Sequence, residues 1–365
     1  MRISPLRLLS RLCHATNSPL NFASPHIVRH APAKGNSEAV TANSMIIACG
    51  IDIGTHSCRL LIAEMRNGHL LPLAHDLATV RLGEGLALTG LLSPAAILRA
   101  EAALISFAGK IAAYPLHSVR TCATHAVRKA GNSRVFLQRA EALTGLSIEV
   151  LSGEEEARLA LHGALSALPE KELRYPRLLV DAGGGSSELI IQATAESEPQ
   201  AVSLPLGAVG LTEEFGENHE AMREKIRTVL APALQNFTKG AKLGPDLPLI
   251  ASGGTATSLA TLALGLDRYD AHQIQNYHLS QTDLCHLIIW LTSLSIEKRN
   301  SLPCLADRRG EIIVAGAVLL QELQQSLAIP ILVSDAGLLE GILLSGITGG
   351  QIDRQGKCAL LQTRH

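Results

Sequence analysis

One strand–turn–strand pattern occurs twice in this chain and constrains its fold more than any other feature. Residues 177–191, RLLVDAGGGSSELII, run from an apolar strand through Asp181, three glycines and two small hydroxyls to Glu188, then into a second apolar strand. Three consecutive glycines cost a plain hairpin backbone entropy, and they are useful where the backbone must approach a ligand closely. Successive N–H groups at Gly183, Gly184, Gly185 and Ser186 would form a concavity for an anion. Asp181 and Glu188 are oxygen donors of the kind that hold Mg²⁺, or another divalent cation, when a phosphate completes its shell. The plainer alternative is a glycine-rich hairpin with no ligand. Residues 46–64, IIACGIDIGTHSCRLLIAE, repeat the plan in diverged form: a strand, Asp52, a turn of Gly54, Thr55, His56 and Ser57, and a strand. This internal repeat predicts two homologous domains facing each other across a cleft, each offering one phosphate-gripping hairpin.

The chain has 365 residues, 47% of them apolar, enough for two domains with cores of their own. A formal charge of −1 excludes a broad electrostatic footprint for nucleic acid or an acidic membrane, so any polyanion must be met by local charge. The seven cysteines include no CxxC or zinc spacing, and their odd number suits a reducing compartment. No apolar run has the length of a membrane span. Residues 1–44 differ from the rest: four arginines and one lysine stand against the single acid Glu38. They read as a disordered tail ahead of Met45, in a cytoplasmic protein, or as a mitochondrial transit segment. After them the pattern predicts α/β alternation with mixed strand directions. One domain is expected over 45–168, a second over 169–350 with a hinge near Pro169, and a tail over 351–365.

Between the halves lies LSGEEEARLALHGAL, a strand end followed by a helix N-capped at Ser152. Ser152 and Glu155 have capping-box spacing, which assigns Glu155 to the backbone N–H of the cap. Glu154 and Arg158 are spaced to pair on the helix surface. Glu156 is left without a structural task, and about 100° round the helix from Glu155 it can project into the cleft; the competing reading is that all three acids complement the helix dipole. In CATHAVRKAGN, Arg128 is expected where a strand becomes a loop, either gripping a phosphate or lying at the surface. LIASGGTATSLATL places Gly253, Gly254 and Thr255 at a strand-to-helix turn, either a phosphate or nucleoside site or simply a tight turn. None of the 14 histidines forms an HExxH pair, so no zinc is expected.

Eight blocks, in order from about Ile47 to Leu344, resemble the exopolyphosphatase and guanosine pentaphosphate phosphatase family: IDIGTHSCRLLIAE, RLGEGL, TCATHAVRKAGN, EVLSGEEEARL, LLVDAGGGSSELII, LPLGAVGLTEEF, IASGGTATSLA and VSDAGLLEGIL. The resemblance implies two actin-like, ribonuclease H-like α/β domains with an interdomain cleft, of the short form without added C-terminal helical domains. It also implies Glu156 as the catalytic carboxylate, metal binding at Asp181 and Glu188, and phosphate contacts from Arg128 and the two glycine turns. The implied activity is release of orthophosphate from the end of inorganic polyphosphate. The alternatives are hydrolysis of guanosine pentaphosphate or, in another class, a non-enzymatic polyphosphate or alarmone sensor. An actin-like kinase is a further rival, with no acceptor pocket specified. Neither nucleic acid nor membrane is expected as a partner, and a homodimer is admitted. Two positions depart from the family pattern: His56 stands where Asn is usual, and Leu339 where Arg is usual, which puts one basic substrate contact in doubt.

Overall fold

The structure is a computed structural model that describes residues 46–237, 243–244, 247–305 and 308–348, without the side chain of Asn236. The expectations for residues 1–44 and 351–365 fall outside the described residues. In the first half the elements are β1 (Ile46–Ile53), β2 (Ser57–Arg66), β3 (His69–Thr79), α1 (Leu86–Thr89), α2 (Pro94–Ile111), β4 (Ser118–Ala123), α3 (His125–Lys129), α4 (Ser133–Thr144), β5 (Ile148–Val150) and α5 (Gly153–Ala167). In the second half they are β6 (Arg177–Ala182), β7 (Ser187–Gln192), β8 (Gln200–Leu204), α6 (Ala208–Phe215), α7 (His219–Phe237), β9 (Leu249–Ser252), α8 (Gly253–Ala263), α9 (Ala271–Ile274), β10 (His278–Leu279), α10 (Gln281–Ser293), α11 (Ile296–Asn300), α12 (Ile313–Leu327), β11 (Ile331–Val333) and α13 (Leu338–Ile347).

The strands form two sheets, ordered β3-β2-β1-β4-β5 and β10-β11-β9-β6-β7-β8. Read from the strand after each glycine turn, both have the same plan. An antiparallel hairpin (β1/β2, β6/β7) gains a third antiparallel strand on one side, and two parallel strands on the other. The duplication inferred from the turns therefore extends to five strands of each sheet, with β10 an added antiparallel edge strand in the second, and the chain has the actin-like α/β fold. Position in the sheet explains the sequence of each strand. β1 and β6, with neighbours on both sides, are almost wholly buried and read as nearly continuous apolar runs. β3 lies at an edge, is half exposed and carries Pro72 where the register slips beside Ala63, a place where the missing N–H costs little.

Two central helices pack between the sheets, each on the sheet built mainly from the other part of the chain. α5 buries Leu159, Ala160 and Leu161 among Leu179, Ile190 and Ile250. α13 buries Leu339, Leu343 and Ile347 against Ala48, Leu61 and Ala63. They meet backbone to backbone: a Cβ on Gly163 would lie 1.8 Å from Gly337 O, and one on Gly341 would lie 1.9 Å from Leu159 O. No larger residue fits there, and the close crossing helps set where the N-terminal ends of both helices lie. Among the described residues no helix is long and apolar enough to cross a membrane.

Candidate active site

Both hairpin turns are tied from behind. In the first, Gly54 N–H donates to Ser57 O at 3.0 Å; in the second, Gly183 N–H donates to Ser186 O at 3.1 Å. Carbonyls of the first turn are held by the loop after β3: Gly83 N–H donates to Thr55 O, and Val80 and Arg81 N–H donate to His56 O. Those of the second are held by the start of α6, where Ala208 and Val209 N–H donate to Gly183 O and Gly184 O. Among the described residues, no protein acceptor takes the amides of Thr55, Gly184, Gly185 or Ser186. The turns nearly touch, since a Cβ on Gly185 would lie 2.5 Å from His125 Cδ2 and 2.6 Å from Thr55 Oγ1.

Between them opens a cavity lined by Gly54, Thr55, His56, Ser57, Glu156, Asp181, the Gly183–Ser186 turn, Glu188, Gly253, Gly254 and Thr255. α8 begins at its edge with Ser252 making no side-chain cap bond, which leaves N-terminal amides for an anion. Gly253 sits at φ 89°, where a Cβ would also lie 2.6 Å from Asp181 Oδ1, so both backbone and space demand glycine. Of the expected site residues, Arg128 alone is absent from the cavity wall. It lies on α3, a one-turn helix rather than a loop, and donates from Nη1 to Glu156 Oε2 at 2.8 Å and Leu151 O at 2.7 Å.

The electrostatics follow from three buried carboxyls. Glu156, on the first turn of α5, is 6% exposed. Burial and then Glu188 push it well up from the usual carboxylate range, against the pull of Arg128. Burial pushes Asp181 up to about 6, with Arg59 pulling it down and Asp52 adding to the rise. Glu188 is also raised, by burial and then by Asp181. Asp181 and Glu188 face each other across β6 and β7, with no ion pair to either among the described residues. Glu188 Oε1 accepts from Ser186 Oγ at 2.7 Å and Ser203 Oγ at 2.8 Å, leaving Oε2 without a hydrogen bond among the described residues. This pair of hard oxygen donors beside an anion cradle fits a divalent cation whose shell a phosphate completes. Among the described residues there is no group of three or more His, Cys, Asp or Glu able to hold a metal by themselves.

Two local expectations fail. Glu155 does not close a capping box: Ser152 Oγ accepts from Glu155 N–H at 3.1 Å, but the Glu155 carboxylate takes Arg120 Nη2 at 2.8 Å. Arg120, which also reaches Glu149 and Ser345 Oγ, draws the carboxylate off the cap. Glu154 and Arg158 form no ion pair among the described residues. Leu339 is 2% exposed in the apolar layer on β1 and β2, so this side chain does not reach the cavity.

Sequence reasoning passed over Arg59, His125 and Arg309, all in the cavity wall. Arg59 sends Nε and Nη2 to Asp52 Oδ2 at 3.0 and 2.6 Å, while Asp52 Oδ1 is buried without a hydrogen-bond partner among the described residues. Arg309 Nη1 donates to Ser258 Oγ at 3.0 Å and Gly254 O at 3.2 Å. His125 is lowered to about 4 by burial, then by Arg128 and Lys129, so it is a neutral imidazole at neutral pH. The repeat carried a signal for Arg59, which occupies the position of Glu188 in the other copy.

A family model for Ppx/GppA phosphatases matches residues 61–348. The chain belongs to the Ppx/GppA phosphatase family. It is 32% identical over 317 residues to exopolyphosphatase 2 of Mycobacterium tuberculosis, covering 81% of this chain and 97% of that one. Among solved structures it resembles an exopolyphosphatase from Cytophaga hutchinsonii, with TM-score 0.75 and 25% identity over 84% of this chain and 99% of that one. It also resembles the Aquifex aeolicus family member, with TM-score 0.68 and 27% identity over 82% of this chain and 97% of that one.

Proposed function

We propose that the chain hydrolyses the terminal phosphoanhydride of inorganic polyphosphate and releases orthophosphate. The observation that carries this reading is one cavity in which two amide-lined turns, a facing Asp181–Glu188 pair and the buried Glu156 converge. The exopolyphosphatases to which the chain is similar support it. The amides of Thr55, Gly184, Gly185 and Ser186, with the start of α8, hold the terminal phosphate. A divalent cation such as Mg²⁺, held by Asp181 and Glu188, would supply neutralisation of phosphate charge. Glu156 orients the attacking water and accepts its proton while the water oxygen bonds to phosphorus. The bridging P–O bond breaks, and its electron pair leaves with the shortened chain. Arg128 holds Glu156 in place through its 2.8 Å contact and favours the ionised form that a base requires. Guanosine pentaphosphate presents the same bond on another leaving group.

The test is orthophosphate release by the purified chain with Mg²⁺ from tripolyphosphate, long polyphosphate, guanosine pentaphosphate and ATP in parallel, repeated in EDTA. Inorganic polyphosphates are expected to be cleaved, with activity lost in EDTA. Release from none of the four sinks the reading, and release from guanosine pentaphosphate alone replaces the substrate.

A further inference from the structure

One loop joins the two halves of the site. Residues 80–85 connect β3 to α1, and within them Arg81 sits at φ 52°, a conformation non-glycine residues seldom adopt. Arg81 N–H donates to His56 O at 2.8 Å and Gly83 N–H to Thr55 O at 2.9 Å, so this loop backs the first phosphate turn. Two contacts from it cross to the second half. Arg81 Nη2 pairs with Glu311 Oε2 at 3.3 Å, and Gly85 N–H donates to Glu213 Oε1 at 2.9 Å.

Their destinations are the two segments that shape the second half of the cavity. Glu311 follows Arg309 and precedes Ile312, both cavity-lining, and Glu213 belongs to α6, whose first amides hold Gly183 O and Gly184 O. The link is braced on both sides. Glu84 pairs with Arg81 at 3.2 Å and with Arg99 of α2 at 3.0 Å, while Arg308 takes the other oxygen of Glu311 at 2.5 Å. Arg81 Nη1 is buried without a hydrogen-bond partner among the described residues. Its side chain lines a recess that shares His56 and Ile312 with the main cavity.

We propose that Arg81 is a positioning residue: its ion pair with Glu311, beside the Gly85–Glu213 hydrogen bond, clamps the cleft so that both phosphate turns close on one phosphate. The proposal rests on the cleft being a phosphoanhydride hydrolase site. Turns carried on separate sheets grip one phosphate together only if the sheets are held in register, and a binding site that must first be ordered binds more weakly. Partly exposed ion pairs are weakened by salt, and with side chains 19% and 18% exposed this clamp should loosen as salt rises.

The experiment is a double-mutant cycle of Arg81→Met and Glu311→Gln, with Glu213→Ala as an independent cut. KM and kcat for tripolyphosphate are read at low and high salt, and each unliganded protein is measured by small-angle scattering. Each single change is expected to raise KM about 3- to 10-fold with little change in kcat. The double variant should be no worse than the worse single, and the variants should lose the salt sensitivity of the unmodified chain. Scattering should show a wider particle in all variants. Losses that multiply, or scattering unchanged in both Arg81→Met and Glu213→Ala, overturn the clamp. If the unmodified chain cleaves no phosphoanhydride, the functional reading alone has failed and the scattering still decides the clamp.

Discussion

In the first hairpin Asp52 stands opposite Arg59, and in the second Asp181 stands opposite Glu188. The backbones match down to the hydrogen bond that closes each turn, so this one cross-strand position sets their electrostatics apart. The first hairpin carries its own counter-charge. Two buried acids facing each other are unfavourable in a sheet, and a hairpin that only had to fold would have little reason to keep them. On the proposed function the duplicated frame divides the work: one copy would position an anion with charges balanced in the protein, and the other would leave a negative pair for a cation to complete.

The largest expected effect concerns which hairpin the base serves. Glu156 is raised by burial, then by Glu188 and to a lesser degree by Asp181, both from the second copy. Glu156→Gln keeps the helix but cannot accept a proton, and kcat should fall by about 10²–10⁴ while tripolyphosphate still binds in an equilibrium titration. Glu155→Gln loses part of a contact with Arg120 and should stay within about threefold of the unmodified rate. If the Glu155 variant is dead and the Glu156 variant active, the base is misassigned.

The electrostatic contrast predicts opposite signs of stability change. Arg59→Met leaves Asp52 buried and unpaired, costing about 3 kcal/mol. Glu188→Gln removes one of two facing charges and should leave the protein in EDTA as stable as before or about 1 kcal/mol more so, although its activity falls. Denaturant unfolding at pH 8 in EDTA measures both. Equal destabilisation by the two changes would break the comparison.

A pH series sharpens it further. Burial pushes Asp181 up to about 6 in the folded chain, above the roughly 4 of a solvated carboxyl, so between those values the folded state binds more protons than the unfolded one. Stability from this group is therefore full at low pH and falls as pH rises from about 4 to about 6, by about 2–3 kcal/mol. In EDTA the unmodified chain should lose stability across that window relative to Asp181→Asn. With millimolar Mg²⁺ the difference should shrink, because a cation favours the charged carboxylate. A difference curve that is flat in EDTA refutes the raised carboxyl, and one that Mg²⁺ leaves unchanged removes Asp181 from the proposed cation site.

The sequence made the hairpins legible because their signals are local: apolar strands, an acid at the strand end and small residues in the turn. The helix after Ser152 was legible too, through its N-cap. Short helices were not. Ala208–Phe215 starts at Gly207 without a side-chain cap, and its service to the glycine turn is a tertiary contact. Glu155 was misread because capping-box spacing is local evidence, whereas Arg120, which takes its carboxylate, comes from another strand. Nothing in RRGE announces that Arg309 reaches Gly254 and Ser258. Arg59 was within reach, since aligning the two repeats puts it opposite Asp52 as Glu188 is opposite Asp181.

The smallest expected effect tests the shared backbone itself. A Cβ on Gly54 would lie 2.9 Å from Ser57 O, and one on Gly183 would lie 2.7 Å from Ser186 O. Neither glycine has positive φ, so alanine meets a steric contact without a dihedral penalty. The carbonyl it meets also accepts the turn-closing bond from the glycine's own N–H, which limits how far it can retreat. Gly54→Ala and Gly183→Ala should therefore each cost about 1–2 kcal/mol, equal within about 0.5 kcal/mol because the geometry is the same. The second measurement should be made with Mg²⁺ and in EDTA, since strain in that turn is transmitted to Asp181 and Glu188 only if they share a cation. Equal costs in EDTA with a larger Gly183→Ala cost in Mg²⁺ would place the asymmetry in the cation. A larger Gly183→Ala cost in EDTA would place it in the backbone, and the two hairpins would no longer be one design with two electrostatic fillings.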